Sequence, residues 1–152
     1  WIKDDDDIFI LNGDVPLLTI NSLKGMYEFH LSNSSVLTIG IIRIDAPTGY
    51  GRVIMDNEKI VKVVEEKDAT EKEKSIDMIN GGVYLTKGQI LNENLNAISN
   101  NNAQGEYYLT TLVEILNEKK KKVLGYLFKN YWELFGVNTP EELKRIENYA
   151  QQ

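Results

Sequence analysis

The sequence predicts an α/β layered domain with a mostly parallel sheet, and three observations carry that prediction. Short apolar or β-branched runs such as Ile8-Phe9-Ile10-Leu11 and Val36 to Ile44 alternate with stretches of helical periodicity. Gly, Pro and Asn punctuate the boundaries between them. A length of 152 residues with 42% apolar and 26% charged side chains fits one core.

The elements follow in order. Ile8 to Leu11 is a continuous apolar run of the kind buried in a parallel sheet, a central strand entered through the acidic Asp4 to Asp7. It stops at Asn12-Gly13-Asp14-Val15-Pro16, where Pro16 cannot continue a ladder. Ile20, Leu23, Met26, Tyr27 and Leu31 share a helix face, with Thr19 or Asn21 as N-cap. Val36 to Ile44 is a β-branched strand, and Arg52 to Met55 with Lys59 to Val64 is a hairpin turned at Asp56-Asn57-Glu58. Ala69 to Ser75 is a short charged helix, with Asp68 as its cap. Ile79 to Leu85 is a strand holding Gly81-Gly82, and paired glycines there signal close approach of a ligand or another part of the chain. Helices are expected over Lys87 to Ile98 and Glu106 to Glu118, then a strand over Val123 to Phe128. The last helix opens on a capping box, with Thr139 as cap, Pro140 in its first turn and Glu142 three residues after the cap.

Composition narrows the chemistry. There is no Cys, and His30 is the only His. Thiolate zinc sites, disulfides, Cys nucleophiles and multi-His centres are thereby excluded, and any metal must be held by oxygen. The 17 basic and 23 acidic residues give a net charge of −6, so a basic stripe for nucleic acid is absent. Lys119 to Lys122 reads as a solvated run at the negative end of a helix. No apolar stretch approaches the roughly 18 residues that span a bilayer, and the first residues lack the shape of a signal peptide, which leads to the expectation of a cytoplasmic setting with no membrane partner.

Several polar residues stand where chemistry could be done. Asp14 closes an apolar strand and suits a hard cation on phosphate oxygens, although Gly-Asp is also ordinary turn chemistry. Gly49-Tyr50-Gly51-Arg52 could bring backbone N–H groups to a ligand or simply turn. Glu65-Glu66-Lys67-Asp68 ends a strand. Asn80 is a polar amide inside a β-branched strand, which calls for a ligand or a structural network. Asn138 follows the apolar Phe135-Gly136-Val137.

Taken in order, Asn12-Gly13-Asp14-Val15-Pro16-Leu17, Pro47-Thr48-Gly49-Tyr50-Gly51-Arg52, Val64-Glu65-Glu66-Lys67-Asp68-Ala69-Thr70, Ile79-Asn80-Gly81-Gly82, the run from Asn100 to Tyr108 (Asn-Asn-Asn-Ala-Gln-Gly-Glu-Tyr-Tyr) and Gly136-Val137-Asn138 resemble the pyrophosphorylase domain of bacterial N-acetylglucosamine-1-phosphate uridyltransferases. The resemblance runs from about Ile8 to the C-terminus. It implies a Rossmann-like nucleotide-diphospho-sugar transferase fold with a mixed, mostly parallel sheet. It also implies a reaction in which UTP and N-acetylglucosamine 1-phosphate give UDP-N-acetylglucosamine, a cell-wall precursor, and pyrophosphate. By the same carry-over Asp14 and Asn138 would coordinate Mg²⁺, and Gly13, Gly51, Glu65, Asn80, Tyr108 and Thr110 would bind the sugar substrate, with Lys67 near phosphate. No residue would act as a covalent catalyst, because the work is alignment and charge stabilisation.

Two departures from the family pattern shape the expectation. Thr111 stands where the family commonly has Asp. The family's first strand and its Arg- and Lys-bearing glycine-rich loop have no counterpart, since no Gly precedes Gly13 and only Lys3 among the earlier residues is basic. Residues 1–152 are therefore expected to be the C-terminal part of a pyrophosphorylase domain, without the β-helix acyltransferase domain of bifunctional members and inactive alone. Self-association, or pairing with a missing N-terminal half, is expected along the Ile8 to Leu11 edge. Two other functional readings stay open: a non-catalytic sugar or sugar-nucleotide binding module, and a nucleotidyltransferase for another sugar 1-phosphate.

Overall fold

The structure, a computed structural model, describes residues 2–151. Six strands form one mixed sheet: β1 (Asp7–Leu11), β2 (Leu37–Arg43), β3 (Arg52–Asp56), β4 (Lys59–Val64), β5 (Met78–Lys87) and β6 (Val123–Leu127), in the spatial order β1-β5-β2-β6-β4-β3. The helices are α1 (Ile20–Ser32), α2 (Glu71–Lys74), α3 (Gly88–Asn94), α4 (Thr111–Glu118) and α5 (Pro140–Ala150), with 3₁₀ turns at Leu95–Ala97 and Tyr131–Leu134.

The α/β class and the mixed sheet are as expected, but the parallel share is smaller. Among the described residues only β2 and β6 pair in parallel, from Leu37↔Val123 to Ile41↔Leu127. β1 and β2 do run in the same direction, joined by the α1 crossover, yet β5 lies between them and is antiparallel to both. Sequence alternation reports the crossover and cannot report a later strand inserted into it. For the same reason Ile8 to Leu11 is not the central parallel strand expected: Ile8, Phe9 and Ile10 are half-buried, and the edge away from β5 has no strand partner among the described residues.

Side-chain alternation sorts the core onto both faces of the sheet. Leu37, Ile39 and Ile41 of β2 pack with Leu112, Val113 and Leu116 of α4. Ile42 and the β5 residues Val83 and Leu85 pack with Met26 of α1, Phe128 and Leu134. Burying each such aliphatic side chain contributes roughly 1.5–3 kcal/mol, so these two layers hold the sheet rigid under its loops. His30, buried on α1, shares a 2.8 Å hydrogen bond through Nδ1 with the Thr38 hydroxyl and is absorbed by the core.

Caps decide the helix starts. Thr19 accepts from the Ser22 N–H at α1, and Thr139 with Glu142 forms the expected capping box at α5. The cap of α2 is Thr70, with its own capping box through Glu73, rather than Asp68. Asp68 is used elsewhere, accepting the Ala103 N–H at 2.8 Å. The expected helix over Glu106 to Glu118 begins only at Thr111. Before it, the Asn102 side chain accepts from the N–H groups of Gln104 and Glu106 at 3.1 and 3.2 Å, and Gly105 takes φ +66°. These local bonds give the backbone an alternative to helix. Lys119 caps the end of α4 and Lys120 turns away at φ +55°, so the lysine run lies just past the negative helix end.

Candidate functional site

A polar cleft of about 190 Å³ opens where β1 ends, and its walls come from five separate parts of the sequence. Asn12 and Asp14 leave β1, Gly49 to Gly51 precede β3, Glu65 follows β4, and Asn80 to Gly82 sit in β5. Gly136 and Asn138 arrive from the turn after Leu134.

Each arrival has a local cause. The Val137 N–H donates to the Asp14 carbonyl at 2.9 Å, which ties the Gly136 segment to the end of β1. Glu133, almost fully buried, accepts from the Thr19 N–H at 3.2 Å and the Thr19 hydroxyl at 2.9 Å, fastening the same turn to the start of α1. In β5, register slips between Ile39↔Tyr84 and Ile41↔Asn80, so a bulge forms around the paired glycines. Gly82 adopts φ +70° there, a conformation open to glycine at little cost. The side chains of Leu134 and Asn12 fill the space over Gly81 and Gly82, which identifies what comes close to the paired glycines.

Asn80 spans the bulge. Its Nδ2 donates to the Tyr84 hydroxyl at 2.7 Å and its Oδ1 accepts the Gly82 N–H at 3.0 Å. Burial raises the Tyr84 pKa to about 12, so the phenol stays protonated. The amide thus has a structural network and still lines the cleft, with one N–H and one lone pair left over. Beside it the Asn80 N–H donates to the Gly51 carbonyl at 2.9 Å. The Glu65 carboxylate lies over Gly51, its oxygens 3.1 and 3.3 Å from where a Cβ would stand. Burial pushes the Glu65 pKa up, against the lowering effect of the Thr110 hydroxyl, which donates to Oε1 at 3.0 Å.

Asp14 and Asn138 converge over Gly136. Asp14 Oδ2 and Asn138 Nδ2 are 3.0 and 3.5 Å from the position of a Gly136 Cβ, so any side chain there would enter the space between them. A carboxylate with one amide, whose oxygen can be turned inward by amide rotation, is a small oxygen donor set of the kind that suits Mg²⁺ sharing its shell with water and phosphate. Among the described residues no group of three or more His, Cys, Asp and Glu could hold a metal ion, so a richer cage is absent.

The structure brings Asp14, Gly51, Glu65, Asn80 and Asn138 to one cleft. Thr110 stands behind Glu65 rather than in the lining. Tyr108 is half-buried outside the lining, accepting from Gln104 Nε2 at 2.6 Å, and Lys67 reaches the same Gln104 side chain. Gly13 turns the chain and does not line the cleft. Asn12, part of the turn that ends the first strand but given no role of its own by the sequence, does line it, and its place at the last step out of an apolar strand is the available signal. A larger neighbouring cleft of about 510 Å³ shares Tyr50 and Leu134 with this one, but its walls include Ile42, Ile44, Ile79 and Phe135 and its Arg43 is engaged by Asp77. Convergent polar donors, rather than size, mark the smaller cleft as the site.

Among the described residues no helix is long and apolar enough to cross a membrane. The chain is 43% identical over 153 residues to the bifunctional protein GlmU of Clostridioides difficile, covering 100% of this chain and 33% of that protein. It is 38% identical over 154 residues to a protein of Acanthamoeba polyphaga mimivirus named "Probable UDP-N-acetylglucosamine pyrophosphorylase", covering 99% of this chain and 60% of that one. Its fold matches a crystal structure of apo UDP-glucose pyrophosphorylase with a TM-score of 0.69 at 15% identity, over 97% of this chain and 55% of that one. The chain thus spans about a third of the length of the GlmU relative. The family model of nucleotidyl transferases matches residues 1–143, and with the fold and the full-length likeness this chain belongs to the nucleotidyl transferase family.

Proposed function

We propose that this chain forms the sugar-phosphate and metal side of a uridylyl transfer site, in the C-terminal part of a pyrophosphorylase domain, acting on UTP and N-acetylglucosamine 1-phosphate. A phosphate oxygen of the sugar would bond to the α-phosphorus of UTP as the bond from that phosphorus to the bridging oxygen breaks, and pyrophosphate would leave. The observation that carries the reading is the convergence of Asp14, Gly51, Glu65, Asn80 and Asn138 in one cleft. The name of the relative at 38% identity supports the choice of sugar.

In this reading Asp14 and Asn138 would hold Mg²⁺, which when bound neutralises charge on phosphate oxygens. Glu65, kept in place by Thr110, would accept a hydroxyl or amide hydrogen of the sugar. Asn80 offers its remaining N–H and lone pair, already oriented by Tyr84 and the Gly82 N–H, so little ordering is left to do on binding. Gly51 keeps the wall thin enough for a sugar ring to sit against backbone, while Gly13, Tyr108 and Thr110 shape the surroundings.

Among the described residues no Lys or Arg lines this cleft, so a triphosphate finds no cationic cradle among them. That supports sugar-nucleotide binding without turnover by this chain on its own. A segment paired along the open edge of β1, from the rest of the protein or from a second copy, goes with this reading, as does a cytoplasmic supply of activated sugar for cell-wall precursors.

Calorimetric titration of UDP-N-acetylglucosamine with Mg²⁺ into the 152-residue chain tests the proposal. Binding is expected, and Glu65→Ala or Asn80→Ala should each weaken it roughly 10- to 100-fold, the worth of a hydrogen bond to a charged or pre-oriented group. No binding by the parent would overturn the function, whereas binding indifferent to both changes would overturn the site. Competition by glucose 1-phosphate at equal strength would move the substrate to another sugar.

A further inference from the structure

We infer that Arg52 is a positioning residue for the sugar-binding wall and that Glu66 acts through it, an inference that rests on reading the cleft as the sugar site. Arg52 opens β3 directly after Gly51, and its side chain is 2% exposed. Full burial of a guanidinium is costly unless it is paired. Among the described residues its bonds go to two places. One terminal nitrogen donates to the Tyr50 carbonyl, and the other meets Glu66 Oε2 at 2.7 Å. Nε has no partner among the described residues.

The same Glu66 carboxylate accepts the Gly49 N–H at 3.3 Å. One ion pair therefore grips the loop at both Gly49 and Tyr50, and it ties that loop to the residue next to Glu65. The grip matters because Gly51 is bounded on both sides. Its carbonyl is held by the Asn80 N–H, and the Glu65 carboxylate oxygens lie 3.1 and 3.3 Å from where a Cβ on it would stand. A shift of Gly51 would either release Asn80 or press on Glu65.

A buried pair that leaves one donor orphaned is poor evidence for stability. All its partners lie in the loop that presents Gly51 and at the end of β4, and none in the aliphatic core. Arg52 holds Glu66 below the ordinary carboxylate range, in keeping with a pair that stays charged when the cleft is empty.

The test is a double-mutant cycle with Glu66→Gln and Arg52→Met in this chain, read by calorimetric titration of N-acetylglucosamine 1-phosphate and by thermal midpoint. Glu66 is partly exposed, at 29%, and Gln keeps a hydrogen-bond acceptor for Arg52, so Glu66→Gln should fold, with a lower thermal midpoint because the buried guanidinium loses its charge partner, and affinity is read well below that midpoint. Its affinity should nevertheless fall roughly 10-fold or more, as misplacement of binding groups does. The double variant should bind no more weakly than Arg52→Met alone, because Glu66 works only through Arg52. Amide shifts in the Glu66→Gln variant should concentrate at Gly49, Gly51 and Asn80. Losses that add, or parent-like affinity in Glu66→Gln, would overturn the inference while leaving the sugar site standing. Failure of the parent to bind sugar phosphate would overturn both together. If Arg52→Met does not fold, the affinity and shift pattern of Glu66→Gln decide by themselves.

Discussion

Replacing Gly82 with Ala should destabilise the protein for two separate reasons, and their magnitudes can be added up. A Cβ at this position would stand 2.1 Å from Asn12 Nδ2 and 2.6 Å from Asn12 Cγ, closer than real carbon contacts allow. Overpacking of this kind costs about 1–3 kcal/mol. The backbone at φ +70° adds about 1–2 kcal/mol for any residue with a Cβ. The total is about 2–5 kcal/mol, and for a domain of this size each kcal/mol moves Tm by about 2–4 °C. A fall of about 4–20 °C is therefore expected from circular dichroism melts. Gly13→Ala supplies the contrast, because nothing lies within 4 Å of its Cβ and its φ is not positive, so Tm should hardly change. The double variant Asn12→Ala/Gly82→Ala removes the clashing amide and leaves only the backbone strain, so it should recover the packing part of the loss. A Gly82→Ala protein that melts with the parent would refute this account, as would a double variant with no recovery.

Two more outcomes follow from individual groups. Glu65 has its pKa raised in the folded protein by burial, so the folded state holds its proton more tightly than the unfolded chain does. The parent should accordingly keep full stability from this group below the ordinary Glu value and lose it as pH climbs through the raised one. Glu65→Gln should match the parent near pH 4 and become the more stable of the two towards neutrality, while binding sugar phosphate less well; parallel urea melts at several pH values check the crossing. Thr139→Ala removes the capping box at α5 and should cost about 1 kcal/mol, or about 2–4 °C in Tm. Because Glu142 also accepts the Asn138 N–H at 2.8 Å, weaker Mn²⁺ binding by Thr139→Ala than by the parent would show that the cap steadies the proposed metal ligand.

Much of the fold was legible because local physics decided it. Strand runs at Ile8 to Leu11 and Val36 to Ile44, the hairpin at Asp56-Asn57-Glu58 and the caps at Thr19 and Thr139 all lie within a residue or two of their observed places. The late start of α4 was not legible, since it depends on Asn102 bonding its own neighbours and on Asp68 holding Ala103 from 35 residues away. In the cleft, Asp14, Glu65 and Asn138 are legible as polar groups at the ends of apolar runs, and Asn80 as a polar amide inside a β-branched strand. Arg52 and Asn12 are not, because a cation that opens a strand and an Asn that closes one are ordinary until their partners are known. Thr110 and Tyr108 were drawn together by resemblance, yet one backs Glu65 and the other engages Gln104.

The sequence by itself determined the class of chemistry and the local elements: oxygen ligands in the absence of Cys, an acidic surface, alternating strands and helices, and their caps. These depend on composition and on neighbours within a turn or a strand. The tertiary structure decided that β5 would slip between β1 and β2, and so turned an expected parallel sheet into a largely antiparallel one. That insertion sets the bulge of Asn80 to Gly82 beside the end of β1, and the Glu133 and Val137 contacts carry Asn138 to Asp14. Pairings across more than a hundred residues are settled by which apolar faces can be buried together and which polar groups can still be satisfied, conditions that no window of sequence contains.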